Sequence, residues 1–146
     1  MRSPSSVPVL PCACASLRRA ARAASQLYER ELRETGLSMA QFTLLYALDE
    51  AGPVVQGRLG DALALDATTL SRTVRPLLDA RWARARPGAD GRERWLEITV
   101  SGRRRLRDAL PHWERAQARL RTQLGADRWA ALFPALAEVA DAARSA

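Results

Sequence analysis

Residues 55–100 carry the pattern that most constrains what this chain can fold into. Their sequence predicts a short helix, a sharp break at Leu65-Asp66, a second helix, and then two strands joined by a tight turn at Asp90-Gly91. An Asp-Gly pair between two strand-like runs is a strong hairpin signal. Two helices joined by a sharp turn and followed by a hairpin form a winged helix-turn-helix, which holds one helix in the major groove of DNA. The pattern therefore points to nucleic-acid binding and gives little support to catalysis.

The positive charge of the chain is concentrated in the same region. The 146 residues have a formal net charge of +7, and every basic residue apart from one histidine is an arginine. Residues 58–107 contain 12 arginines and 6 acidic residues, so they account for nearly all of the excess. Clustered arginine attracts phosphate in a salt-dependent way. Because codon bias in a GC-rich genome would also replace lysine by arginine, the position of the charge carries more weight than its type.

Helical patterns flank this region. A first helix is predicted over about residues 16–35, and Ser38 with Gln41 forms the capping box of a second. Ser101 is expected to cap a long helix that ends near Leu124, and a last helix covers about residues 126–144. We therefore expect a mainly α-helical fold with a small β-wing, in which N- and C-terminal dimerisation helices surround the winged helix-turn-helix. The two terminal helices are amphipathic, and their apolar faces need a partner surface.

The N-terminal residues 1–11 predict a flexible arm. They contain three prolines, three serines and no long apolar run, which is unlike a secretory signal. No stretch of the chain is long and apolar enough to span a bilayer. We therefore expect a cytoplasmic protein with no membrane partner.

Three motifs in this order resemble the MarR (multiple antibiotic resistance regulator) family of winged-helix repressors. They are S-M-A-Q-F-T-L-L at Ser38–Leu45, L-A-L-D-A-T-T-L-S-R at Leu63–Arg72, and D-G-R-E-R-W-L-E-I-T at Asp90–Thr99, which leads into S-G-R at Ser101–Arg103. Each motif alone is weak, but the order and spacing are specific, and the resemblance covers nearly all of residues 12–143.

The resemblance implies a sequence-specific regulator of transcription that binds double-stranded DNA and is not an enzyme. It implies one domain over residues 12–146, with a winged helix over about residues 38–100 and dimerisation helices over about 16–35 and 101–144. The first, fifth and sixth helices of two chains would interlock in a homodimer. The expected activity is repression that an inducer relieves.

The candidate DNA contacts lie on the second helix of the motif and on the hairpin. Short hydroxyl side chains suit base edges or phosphates, and arginines can contact guanine or phosphate. From the family resemblance, Arg92 would enter the minor groove, and Asp90 would be the acid that orients it. The full set of candidates is Thr68, Thr69, Ser71, Arg72, Arg75, Arg84, Arg86, Asp90, Arg92 and Arg94.

Cys12 and Cys14 are the candidates for sensing. They lie close to the N-terminus of the first predicted helix, where the helix dipole and nearby arginines favour the thiolate. Four thiolates in a dimer could bind a soft metal or arsenite, or form an intersubunit disulfide on oxidation. The alternative is a structural role, in which both residues pack the arm against the dimer helices. No cofactor is required for DNA binding in either case.

Other functions and other inducers stay open at this point. The family resemblance implies a cleft beside the dimer helices that could take a small aromatic ligand, and Tyr28, Trp82 or Trp113 could line it or simply pack in the core. A different class of function is a cysteine-dependent metal or redox sensor or carrier whose main activity is not DNA binding. An enzyme is disfavoured because the single histidine, His112, has no evident cysteine partner.

Overall fold

The computed structural model describes residues 10–146, which form a mainly α-helical chain with a small sheet. The elements are α1 (Ala13–Leu32), α2 (Met39–Ala51), β1 (Val54–Val55), α3 (Gln56–Ala62), α4 (Ala67–Asp79), β2 (Ala83–Pro87), β3 (Arg94–Ile98), α5 (Val100–Leu124) and α6 (Ala126–Ser145). A short 3-10 turn at Arg33–Thr35 follows α1. The predicted fold class is confirmed. Most of the predicted N-terminal arm, residues 1–9, lies outside the described residues.

Three local predictions were wrong. Helix α1 begins at Ala13 rather than Ser16, so Cys12 is its N-cap residue and Cys14 lies inside its first turn. The N-cap of α5 is Thr99 rather than Ser101, because the Thr99 hydroxyl accepts a hydrogen bond from the Gly102 amide at 3.0 Å. Strand β1 was missed, since two residues are too short to show an alternating pattern.

The sheet has the strand order β1-β3-β2, with all pairs antiparallel. On β3, Leu96 and Ile98 point into the core, and Trp95 and Glu97 point to the opposite face. A continuous hydrophobic core joins the sheet to the helices, and its most deeply buried large side chains are Leu32, Leu44, Leu45, Leu48, Leu70, Val74, Leu77 and Leu96. The helix-turn-helix and the wing are therefore held by one core.

Polar contacts link the C-terminal half of helix α1 to α5. The Glu31 carboxylate pairs with Arg119 and, at 3.4 Å, with Arg115. The hydrogen bond from Arg119, with that from Arg115, holds the pKa of Glu31 below its usual value. The Tyr28 hydroxyl donates to the Gln117 side chain. These contacts fix α1 along α5, where Leu27 and Tyr28 are half-buried and Leu17 stays exposed.

The terminal helices leave large apolar side chains in solvent. Helix α6 has no buried residue, and Phe133, Leu136 and Val139 are each more than 40% exposed. Leu17 on α1 is also exposed. An apolar face of this size on a helix that extends from the core is typical of an interaction surface.

The junction between the wing and α5 depends on a glycine. Gly102 is buried in the first turn of α5, and a Cβ atom added there would lie 1.9 Å from the carbonyl oxygen of Trp82. That carbonyl also accepts a hydrogen bond from the Thr99 amide at 3.0 Å, and the Thr99 hydroxyl donates to the carbonyl of Arg81 at 2.7 Å. The start of β2 and the start of α5 are therefore in direct backbone contact.

Gly102→Ala should destabilise the protein by about 3 kcal/mol or more, because backbone has to move to admit the methyl group. This corresponds to a fall in Tm of about 10 °C. Gly57→Ala is the matched control, since Gly57 is helical and a Cβ atom added there would have no neighbouring atom within 4 Å. Its Tm should stay the same or rise, because alanine favours the helix. Equal Tm values for the two variants, by calorimetry, would contradict the close contact at Gly102.

Candidate nucleic-acid interface

The turn between α3 and α4 is built by backbone and side-chain hydrogen bonds. Ala64 takes a left-handed conformation with φ +52°, and the Leu65 amide donates to the carbonyl of Gly60 at 2.9 Å. Asp66 then caps α4, because its carboxylate accepts from the Thr69 amide and the Thr69 hydroxyl, both at 2.8 Å. The backbone hydrogen bond from Thr69, with that from its hydroxyl, lowers the pKa of Asp66. The cap therefore fixes where the second helix of the motif begins.

Helix α4 has one buried and one exposed face. Leu70, Val74 and Leu77 enter the core. The predicted contacts Thr68, Ser71, Arg72 and Arg75 are exposed on the other side, as their helical spacing requires. Four of the candidate residues are thus presented together by one rigid helix.

The hydroxyl groups on α4 differ in what they can offer to DNA. The Thr69 hydroxyl donates its hydrogen to Asp66, so it can contact DNA only as a hydrogen-bond acceptor. The Thr73 hydroxyl donates to the carbonyl of Thr69 at 2.9 Å, in the usual pattern for a hydroxyl inside a helix. Ser71 instead accepts a hydrogen bond from the side-chain amide of Gln56 at 3.1 Å. Gln56 was not among the predicted contacts. It lies 15 positions before Ser71, and no sequence pattern indicates a contact over that separation.

The two faces of the wing separate the predicted arginines. Arg84 and Arg86 on β2 lie opposite Glu97 and Trp95 on β3, so all four share the outer face. Arg84 forms an ion pair with Glu97. Arg94 alternates with Leu96 and Ile98 on the other face of β3. Its side chain lines two surface grooves beside the helix-turn-helix. The structure therefore brings Arg94 to α4 and leaves Arg84 and Arg86 on the other side of the wing.

The tip of the wing is shaped by Asp90 and Gly91. The Asp90 carboxylate accepts from the backbone amide of Arg92 at 3.0 Å, and Gly91 has φ +72°. Within residues 10–146, Asp90 forms no ion pair with the Arg92 guanidinium. The acid acts on Arg92 through the backbone of the turn, which leaves the guanidinium exposed.

A groove runs between α4 and the wing. It has a volume of about 670 Å³, and its lining includes Ser71, Arg72, Arg75 and Arg94. A second groove of about 440 Å³ lies between residues 92–94 of the wing, helix α3 and the first half of α4. In the described part of the chain, none of these four arginines has a carboxylate within ion-pair distance, whereas Arg84, Arg103, Arg115 and Arg119 each do. The unpaired arginines are distributed over the linings of the two grooves, which share Arg94 and also contain acidic residues (Asp61 and Glu93 in one, Asp79 in the other).

Arginines at the start of α5 are used to hold elements together. Arg103 pairs with Asp49 of α2 at 2.6 Å. The Arg105 guanidinium carbon lies 4.8 Å from the centre of the Trp82 ring, which is a cation–π contact. These two residues connect α5 to α2 and to the base of the wing, while Arg104 and Arg107 stay exposed.

The candidate sensing cysteines lie far from this surface in sequence and are not part of it. Cys12 is half-buried, and Cys14 is exposed. In residues 10–146, no group of three or more histidine, cysteine, aspartate or glutamate side chains is placed to hold a metal ion.

The aromatic candidates for ligand binding are engaged in packing. Trp113 stacks on Phe42 with ring centres 5.8 Å apart. Trp82 is covered by Arg105, and Tyr28 is hydrogen-bonded to Gln117. Partial burial raises the pKa of the Tyr28 hydroxyl. These contacts favour the core-packing interpretation of Trp82 and Trp113, and Tyr28 is held by its hydrogen bond to α5.

The helices between residues 10 and 146 do not have the character of membrane spans. None of them combines the length and the apolar composition that crossing a bilayer would require.

Comparison with known proteins identifies the family. A MarR family model matches residues 35–93. The transcriptional regulator MosR of M. tuberculosis, solved in complex with DNA, is 32% identical and superposes with a TM-score of 0.84 over 92% of this chain and 97% of that one. The PcaV transcriptional regulator of Streptomyces coelicolor, solved with its natural ligand, is 25% identical, with a TM-score of 0.83 over 95% and 99% of the two chains.

A curated relative agrees with these matches. The HTH-type transcriptional regulator YwoH of Bacillus subtilis is 27% identical over 92 residues, which cover 63% of this chain and 67% of the relative. The motifs at Ser38–Leu45, Leu63–Arg72 and Asp90–Thr99 and the element order of the structure are consistent with that relationship. The chain belongs to the MarR family of winged-helix transcriptional regulators.

Proposed function

We propose that this protein is a homodimeric repressor that binds a specific double-stranded DNA site and leaves it when an inducer binds. The observation that carries the proposal is the set of exposed arginines without carboxylate partners, which α4 and the wing bring together: Arg72, Arg75, Arg92 and Arg94. In this proposal the protein acts by binding, and it has no catalytic step. It acts in the cytoplasm, where a bacterial chromosome is accessible.

Binding would use α4 and the wing in different grooves. Helix α4 is 13 residues long and exposes Thr68, Ser71, Arg72 and Arg75, which suits insertion into the major groove. Arg92 at the wing tip would reach the adjacent minor groove, where an arginine responds to groove width. Arg94 and the side chains that line the groove beside α4 would contact phosphates between them.

Dimerisation would cover the apolar faces of α1 and α6. The exposed Leu17, Phe133, Leu136 and Val139 are the residues that a second copy would bury. Burying apolar surface stabilises association by about 25 cal/mol for each Å² removed from water. The two half-sites bound by a helix-turn-helix dimer lie one turn of DNA apart. The dimer interface would therefore have to hold the two α4 helices at that distance.

Arg92→Ala and Arg94→Ala should each weaken DNA binding about tenfold at physiological salt, because each removes a charge that faces DNA. Arg94→Ala should also reduce the slope of log K against log salt by about one for each phosphate that the variant no longer neutralises. The measurement is fluorescence anisotropy with DNA from upstream of the protein's own gene and with a random duplex, across a salt series.

Arg84→Ala is the matched comparison on the same hairpin. Its side chain lies on the outer face and is paired with Glu97, so the loss of affinity should be clearly smaller than for Arg94→Ala. Equal losses for the two variants would contradict the assignment of the wing face that carries Arg94 as the DNA-binding face. No DNA binding by the wild-type protein would contradict the proposed function itself.

We also propose that the inducer acts on Cys12 and Cys14. Cys14 is exposed and Cys12 is half-buried, so reagents can reach them, whereas the aromatic candidates are occupied by packing contacts. Arsenite or a soft metal would bind the thiolates of both chains. Alternatively, hydrogen peroxide would accept two electrons from two thiols: its O–O bond breaks, one disulfide forms, and the two thiol protons leave with the peroxide oxygens as two molecules of water. Either reaction would favour a dimer whose α4 helices are misplaced for successive major grooves.

The Cys12→Ser/Cys14→Ser variant separates these possibilities. If the thiols are the sensor, arsenite, zinc or hydrogen peroxide should release the wild-type protein from DNA and leave the variant bound. Release of both proteins, or of neither, would exclude the cysteines as the sensor and direct attention to a small aromatic ligand. Strong thiol chemistry without any effect on DNA binding would instead favour the alternative of a metal or redox carrier.

A further inference from the structure

Gln56 has an unusual environment for a residue at the start of a helix. It is half-buried, and its side-chain amide donates to the Ser71 hydroxyl oxygen at 3.1 Å. Its carbonyl oxygen Oε1 is buried and receives no hydrogen bond from any residue in the range 10–146. Reversing the amide would bury an NH₂ group with two unused donors, which is worse than one unused acceptor. The arrangement that points an N–H at Ser71 therefore leaves one unused acceptor and is the less costly of the two orientations.

The contact determines which way the Ser71 hydroxyl hydrogen points. A serine hydroxyl has one hydrogen to donate and two lone pairs to accept with. Because Gln56 occupies a lone pair, the hydrogen is directed away from Gln56. Thr73 and Thr69 show the alternatives on the same helix, since both donate their hydroxyl hydrogens to other groups of the protein. Among residues 10–146, no acceptor takes the hydrogen of Ser71.

Ser71 is exposed in the groove between α4 and the wing, next to Arg72, Arg75 and Arg94. We propose that Gln56 is a positioning residue for DNA binding: it holds Ser71 as a hydrogen-bond donor that faces an acceptor oxygen or nitrogen of the DNA. The inference rests on the proposed function of this surface. The acceptor is a phosphate oxygen or the edge of a base, and the two can be distinguished by how the effect depends on DNA sequence.

The test is a double-mutant cycle measured by fluorescence anisotropy on the upstream DNA. Ser71→Ala should weaken binding about tenfold, because a hydrogen bond to a charged or buried acceptor is lost. Gln56→Met, which keeps the shape and removes the amide, should weaken binding several-fold when Ser71 is present. In the Ser71→Ala background, Gln56→Met should change affinity by less than about twofold.

Stability separates positioning from a merely structural role. Because Gln56→Met removes a buried acceptor without a partner, the Tm should stay the same or rise while DNA affinity falls. A structural role predicts that both fall together. Thr73→Val is the control for loss of a hydroxyl on α4, and its DNA affinity should match the wild type, since the Thr73 hydrogen is used inside the helix.

A further variant reverses the hydrogen bond. Gln56→Glu replaces the donor by an acceptor, so Ser71 would donate to the carboxylate and no longer to the DNA. This variant should bind more weakly than Gln56→Met when Ser71 is present. Its remaining deficit in the Ser71→Ala background measures the effect of the added negative charge alone.

Failure of the positioning role and failure of DNA binding give different results. If the wild-type protein binds the upstream DNA but the losses from Gln56→Met and Ser71→Ala multiply, or Gln56→Met has no effect, the inference is wrong and the proposed function stands. If the wild-type protein binds no DNA, both fail. Coupled losses that are equal on upstream and random DNA assign the acceptor to phosphate, and coupled losses confined to the upstream DNA assign it to a base edge.

Discussion

The contact between Gly102 and the Trp82 carbonyl is the constraint on which the arrangement of the molecule depends. It brings the first turn of α5 onto the base of the wing, with no room for a single methyl group. The Thr99 side chain strengthens this junction by bonding to the Arg81 carbonyl and to the Gly102 amide. Because α5 runs for 25 residues from this junction to α6, the DNA-binding surface and the apolar terminal helices are attached to one helix.

This connection gives the proposed repressor a simple means of control. A change at the N-terminus of α1, where Cys12 and Cys14 lie, would be transmitted along α1 to the ion pairs of Glu31 with Arg115 and Arg119 on α5. Packed elements of this kind shift as bodies rather than deform locally. An inducer needs only to bind more tightly to a dimer in which the two α4 helices no longer match successive grooves. The difference between its affinities for the two arrangements sets how far the equilibrium between them shifts.

Sequence patterns predicted the local features of the fold well and the tertiary ones less well. The capping box of Ser38 and Gln41 and the Asp66 cap were predictable because the interacting groups are three residues apart. The Thr99 cap has its partner Gly102 three residues away as well, but Ser101 is a competing cap residue, and the contact that favours Thr99 is its hydrogen bond to Arg81, which is 18 positions away. The separation of Arg84 from Arg94 follows from strand alternation and was available in the sequence, whereas the contact of Gln56 with Ser71 depends on how α3 packs on α4.

The most direct test of whether a dimer binds DNA through two α4 helices is a hydroxyl-radical footprint of the wild-type protein on the DNA upstream of its gene. A dimer that presents two α4 helices and two wings to one face of the DNA predicts protected stretches of the sugar-phosphate backbone that repeat about every 10 base pairs along that face. A single protected segment, or two segments at a spacing that does not repeat with the helical turn, would contradict the paired arrangement of the DNA-binding surfaces.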